Sequence, residues 1–188
     1  MKRIVIFASG SGSNAENLIK FFHNSDNASV IQILTNNSHA KVLDRAKNLK
    51  VSALYFNRVA FTKTDDVLNI LKVSQPDLIV LAGFLWKFPE SILKAFPNKV
   101  INIHPALLPK YGGKGMYGMN VHKAVVANNE VETGITIHYV NENYDEGAII
   151  FQAKCDVSTS DTAEDVAAKI HELEMEHFPK VVEKLLSE

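Results

Sequence analysis

Five short apolar runs punctuate the first half of the chain, at Ile4–Ala8, Val30–Leu34, Ala53–Phe56, Leu78–Ala82 and Val100–Ile103. Each has the length of a strand, and they read as continuous apolar stretches, the pattern of strands buried on both faces. Between them lie stretches of helical length with charged faces, roughly Asn14–Phe22, Ala40–Leu49, Lys63–Val73 and Pro89–Phe96. Strands alternating with helices in this way predict a parallel sheet covered on both sides, with right-handed crossovers.

After Pro105 the pattern changes. The segment Lys110–Gly118 carries glycines at 112, 113, 115 and 118, which predicts a ligand-adaptive loop. A helix is expected near Val121–Asn128. Gly134–Val140 and Ala148–Ala153 then read as two strands joined by the polar turn Asn141–Gly147 and pairing antiparallel at one side of the sheet. Ser160 or Asp161 is expected to cap a helix over Ala163–Met175, with Pro179 starting a new helical turn towards Leu186. No repeat, low-complexity tract or linker interrupts the sequence. The prediction is one domain over residues 1–188: a doubly wound α/β domain with a mostly parallel, Rossmann-like sheet and an antiparallel C-terminal strand pair.

Composition narrows the function without naming it. Twenty Lys plus Arg against 21 Asp plus Glu give a formal net charge of −1, which argues against bulk binding to nucleic acid or an anionic membrane while leaving room for a local phosphate site. The first apolar run is too short for a secretory signal and no run is long enough for a membrane span, so a cytoplasmic protein is expected. Cys155 is the only cysteine. It excludes an intrachain disulfide and a cysteine-based zinc site, and a small core residue is its expected role. The seven histidines are scattered without ligand spacing, so no metal is expected.

Three places carry chemistry. Ser9–Asn14 joins the first strand to the first helix, and its glycines with free N–H groups at the helix start suit a phosphate. It is neither a Walker A loop nor the full dinucleotide fingerprint, since Ala15 stands where a third glycine would fall. Asn102 and His104 lie at the end of the fifth strand, two residues apart and hence on one side of it. An amide beside an imidazole there suits oxyanion stabilisation with proton transfer. Asp145 is one of three carboxylates in the polar turn and is not distinguished by the turn alone.

Taken together, Ser9–Asn14, Leu81–Phe84, Asn102–Tyr111, Thr133–His138 and Tyr144–Gly147 resemble the folate-dependent formyltransferases, and among them the phosphoribosylglycinamide formyltransferases of de novo purine synthesis. The segment Asn102–Lys110 is the most specific part of the match. The resemblance implies formyl transfer from 10-formyltetrahydrofolate to the amine of glycinamide ribonucleotide, with no nucleic-acid partner. Carried over by position, it implies a catalytic set of Asn102, a protonated His104, and Asp145, which would hold or raise the pKa of the imidazolium. Gly12, Ser13, Asn14 and Glu174 would bind the ribonucleotide. Leu85, Trp86, Lys87 and Phe88 with Val140, Asn141 and Tyr144 would bind the folate. It also implies a cis Leu108–Pro109 peptide.

The chain departs from that family at Leu85–Phe88, where an arginine is often found, and at Thr64. There Lys63 is expected to supply the charge for the folate tail. The related tRNA formyltransferases and formyltetrahydrofolate hydrolases carry an additional domain that is not expected here. The alternative outside enzymology is a phosphate- or nucleotide-sensing module, which would need the glycine-rich loop but not the Asn–His–Asp set. A nicotinamide dehydrogenase is disfavoured by Thr35-Asn36-Asn37, where an acid is expected after the second strand.

Overall fold

In the computed structural model, which describes residues 1–187, seven strands form one sheet. They are β1 (Lys2–Phe7), β2 (Ala28–Thr35), β3 (Ser52–Tyr55), β4 (Leu78–Leu81), β5 (Val100–His104), β6 (Glu132–Tyr139) and β7 (Ile149–Asp156). Their spatial order is β3-β2-β1-β4-β5-β6-β7. The first five run parallel, and β6 and β7 are antiparallel to their neighbours. The chain leaves β1 towards β2 on one side and returns to β4 on the other, so a crevice opens between the carboxyl ends of β1 and β4.

The helices are α1 (Ser13–Phe22), α2 (Val42–Asn48), α3 (Arg58–Thr62), α4 (Asp66–Ser74), α5 (Glu90–Ala95), α6 (Met119–Ala127) and α7 (Ala163–Ser187). Strand alternation divides the core in two. Ile4 and Ile6 face one layer with residues of α1, α6 and α7, whereas Val5 and Phe7 face the other with residues of α3, α4 and α5. The two layers bury β4 and most of β1 and β5, which is why those runs are apolar, whereas β3 at the sheet edge leaves Leu54 and Tyr55 exposed. The second layer is aromatic: Phe7 packs edge-on against Phe56, Phe84 and Phe88.

Three local expectations need correction. The helix predicted over Lys63–Val73 is α4, and a separate short helix that was not expected, α3, precedes it, started where the Asn57 side chain accepts from the Ala60 N–H at 2.9 Å. The last helix is capped by Thr162, not Ser160 or Asp161. Thr162 and Asp165 exchange hydrogen bonds, each side chain taking the other's backbone N–H. That helix also runs unbroken through Pro179. Proline leaves the Met175 carbonyl without its i+4 donor, and the Asn17 amide of α1 occupies that acceptor at 2.9 Å. A tertiary hydrogen bond thus stands in for the missing backbone one. Cys155 is half-buried on β7, and burial pushes its thiol pKa up. No helix among the described residues is long and apolar enough to cross a membrane.

Candidate active site

The crevice at the strand ends is closed by short contacts. The Ser9 N–H donates to the Gly83 carbonyl at 3.0 Å, and the Leu85 N–H donates to Ser9 Oγ at 3.0 Å. These tie the loop after β1 to the loop after β4.

One strand over, β5 ends in Asn102 and His104, and the structure brings Asp145 to both. Asp145 Oδ1 lies 3.5 Å from Asn102 Nδ2, a weak contact, and Oδ2 lies 3.7 Å from His104 Nδ1. The turn places Asp145 with φ 56, a conformation that aspartate tolerates better than most residues. Its carboxylate also accepts the Gly113 N–H at 2.9 Å, so the glycine-rich loop is part of the site.

A fourth side chain completes the cluster. His138 on β6 lies directly opposite Asn102 in the antiparallel pair. Its Nε2 is 3.1 Å from Asn102 Nδ2 and 3.6 Å from Asp145 Oδ1. Its Nδ1 sits 2.8 Å from the Tyr139 carbonyl, which can only accept, so Nδ1 carries the proton and Nε2 receives the Asn102 amide. The same reasoning fixes His104. Its Nε2 is 2.8 Å from the Tyr111 carbonyl and therefore carries the proton. Nδ1, facing Asp145, is the nitrogen that gains and loses one.

Burial of His104 lowers its pKa below the usual histidine value. Asp145 and the Tyr111 carbonyl pull it upward, and His138 pushes it down further. With this net lowering, the ligand-free site favours neutral His104 near pH 7. Burial also acts to raise the pKa of Asp145, but His138, His104 and the Gly113 N–H outweigh it and hold the carboxyl below its ordinary range. His122 on α6 is buried near His104, its Nδ1 has no partner, and burial lowers its pKa.

The loop before α1 makes the second part of the site. Gly12 has φ 74, and a Cβ there would lie 2.4 Å from Val42 Cγ2, so only glycine permits this approach to α2. Arg45 of α2 donates from Nε to the Ser11 carbonyl at 2.7 Å and pairs with Glu16. No side chain caps α1, leaving its first N–H groups for a ligand. Next to them, Asn14 Nδ2 donates to Glu174 Oε2 at 2.9 Å, while Asn14 Oδ1 is buried without a partner.

Burial raises the Glu174 pKa, with Asn14 and His171 pulling it back only in part. A carboxyl with a raised folded pKa stabilises fully below its unfolded value, and that contribution is lost as pH rises through the folded one. Near pH 7 its burial therefore costs the ligand-free protein stability. Glu174→Gln is expected to raise the melting temperature at pH 7 by about 1–3 °C. Differential scanning fluorimetry reads it, and an unchanged or lower melting temperature would count against the reading.

The third part is a cleft of about 570 Å³ lined by Leu85, Trp86, Lys87 and Phe88 on one side, Glu142 and Tyr144 on another, and Arg58 and Thr62 of α3. The Arg58 guanidinium stands 5.4 Å from the Trp86 ring centroid, a stacking distance. Val140 and Asn141 are placed otherwise. The Val140 N–H is bonded to the Val100 carbonyl and its side chain packs against the aromatic core, while Asn141 caps the turn through the Asn143 N–H. Lys63 follows the end of α3 and does not line the cleft, whose cations are Arg58 and Lys87. The Leu108–Pro109 peptide is cis.

The sequence model of the family described as formyl transferase matches residues 2–182. The chain belongs to the formyl transferase family. Among curated members, the chloroplastic phosphoribosylglycinamide formyltransferase of Vigna unguiculata is 35% identical over 192 residues, covering all of this chain and 62% of the relative. The phosphoribosylglycinamide formyltransferase of Bacillus subtilis is 33% identical, covering 99% of this chain and 95% of its own length. The chain thus spans under two thirds of the first and nearly all of the second. Among solved members, glycinamide ribonucleotide transformylase 1 of Geobacillus kaustophilus superposes with a TM-score of 0.89 at 33% identity, covering 99% of both chains. The Bacillus halodurans phosphoribosylglycinamide formyltransferase superposes at 0.88, also at 33% identity. Membership accounts for the sheet order and for the antiparallel strand pair that carries His138, with Asp145 in the turn that joins its strands.

Proposed function

We propose that this formyl transferase passes the formyl group of 10-formyltetrahydrofolate to the amine of glycinamide ribonucleotide, a step of de novo purine synthesis, within a single catalytic domain. The observation that carries the reading is the convergence of Asn102, His104, His138 and Asp145 at one strand end. A phosphate-suited loop lies on one side of the fold's crevice and an aromatic, cationic cleft on the other.

In this reading the uncharged amine attacks the formyl carbon, and negative charge develops on the formyl oxygen. The Asn102 amide gives up its weak contact with Asp145 and donates to that oxygen, which has most need of it in the transition state. Neutral His104 takes the proton released by the attacking nitrogen at Nδ1, and the imidazolium so formed pairs with Asp145. Returning through water, the proton goes to the folate nitrogen as the carbon–nitrogen bond to it breaks. One proton leaves the amine and one reaches the leaving nitrogen, so no covalent enzyme intermediate is needed.

Gly12, Ser13 and Asn14 hold the phosphate in this reading, with Glu174 at the ribose or amine end. Leu85–Phe88 and Tyr144 form the folate walls, and Arg58 takes the carboxylate of the tail. Arg58→Ala is accordingly expected to raise KM for the folate about five- to twentyfold, the worth of a charge-assisted hydrogen bond. Turnover at saturation should stay within about twofold, and Lys63→Ala should change neither constant. Initial rates across folate concentrations decide between them, and a KM effect at Lys63 instead of Arg58 would reverse the assignment.

The reading itself is tested by incubating the protein with both substrates. Expected are equal amounts of deformylated folate and formylated ribonucleotide, with little folate consumed when the ribonucleotide is omitted. Folate consumption independent of the amine would indicate hydrolysis and overturn it.

A further inference from the structure

The carbonyl that accepts the His104 proton belongs to Tyr111, whose φ of 56 lies in the left-handed region that side chains other than glycine disfavour. Something must hold it there. The Tyr111 hydroxyl donates to Glu130 Oε1 at 2.9 Å, and Lys110 Nζ donates to both oxygens of the same carboxylate at 3.0 and 3.1 Å. Glu130 is itself set by the turn that ends α6, where its N–H donates to the Val125 carbonyl at 3.2 Å. Burial and the neighbouring carboxylate push the phenol pKa up, so Tyr111 stays a donor. Two residues further on, the Gly113 N–H grips Asp145. One strap, residues 110–113, therefore supplies the acceptor for His104 and a donor for Asp145, and its outer end is fastened to Glu130.

We propose that Glu130, which touches no reacting atom, is a positioning residue: through the Tyr111 hydroxyl it fixes the carbonyl that selects the His104 tautomer with Nδ1 free. The inference rests on the role given to His104 above and extends it to a side chain on the opposite side of the loop. Without the fastening, Tyr111 relaxes towards an ordinary backbone conformation, its carbonyl swings away and the imidazole loses the partner that commits its Nε2 proton.

The test uses Tyr111→Phe, which removes only the hydroxyl, together with Glu130→Ala, Glu130→Gln and the double variant Tyr111→Phe/Glu130→Ala. Turnover is expected to fall between about tenfold and a hundredfold in Tyr111→Phe and Glu130→Ala, with KM for either substrate within about twofold. The double variant should be no worse than the singles, because all three lose the same hydrogen bond. Glu130→Gln, which keeps an acceptor for the hydroxyl, should recover most of the rate. In the ligand-free protein, the nitrogen-15 shifts of His104 should change from one tautomer to a mixture in the two impaired singles and not in Glu130→Gln. That spectrum needs no turnover, so it separates failure of this inference from failure of the proposed reaction. Unchanged His104 shifts in Tyr111→Phe, or losses that are additive or confined to KM, would overturn it.

Discussion

Replacing Asp145 by Asn is expected to lower turnover by about 10²- to 10⁴-fold, the range for losing a positioned proton-transfer group, with the fold intact. Its carboxylate is the one acidic group within 4 Å of both His104 Nδ1 and His138 Nε2 among the described residues, and it also meets the Asn102 amide. An amide of the same size can keep the Gly113 contact but cannot stabilise the imidazolium formed when His104 takes the amine proton. The pH profile carries a second signature. In the wild type, kcat/KM is expected to rise with pH through a pKa lower than the usual histidine value, because burial lowers His104 and the neutral form is the proton acceptor. Asp145 pulls that pKa up, so Asp145→Asn should move the acid limb to lower pH. An acid limb that moved upward, or a loss under tenfold, would remove Asp145 from the role.

The second large effect is expected at Gly147, two residues beyond Asp145. A Cβ there would stand 1.7 Å from the Tyr139 carbonyl oxygen and 2.7 Å from its carbon. Neither atom can retreat, because Tyr139 is bonded to Ala148 through its N–H and accepts His138 Nδ1 at its carbonyl. Gly147→Ala must therefore push apart the start of β7 and the end of β6. Overpacking of this kind costs about 1–3 kcal/mol, or a melting temperature lower by roughly 3–10 °C in a chain of this size. The displaced carbonyl is the one that fixes the His138 tautomer, so turnover should drop more than tenfold as well. Gly10→Ala, whose added methyl meets nothing within 4 Å, should leave the melting temperature within about 1 °C. Thermal melts of the two variants decide whether backbone crowding, as opposed to glycine content, matters here.

Much of this was legible in the chain before its structure. The inner parallel strands β1, β4 and β5 announce themselves because both faces are buried, and that leaves no polar alternation. Asn102 and His104 were found from their spacing at a strand end, and Asp145 only through resemblance, since nothing local separates it from Glu142 and Glu146. What escaped depends on long-range pairing. His138 stands in the site because β6 runs antiparallel to β5 in a register that sets it against Asn102. The Thr133–His138 motif was visible, but its register was not. Arg58 was missed because the start of α3 hangs on one cap at Asn57, a few residues before the helix expected from periodicity. Pro179 reads as the start of a new turn because the donor that satisfies the freed Met175 carbonyl, Asn17, lies 158 positions away from it in the chain.

The most direct test is the rate of formyl transfer from 10-formyltetrahydrofolate to glycinamide ribonucleotide, by wild type and by His104→Ala in the same assay, with ribonucleotide binding measured alongside. Turnover by the wild type and a loss of at least about 100-fold in the variant, at unchanged ribonucleotide affinity, is the expected result. A folded His104→Ala protein that kept its rate, or a folded wild type with no transfer, would contradict it.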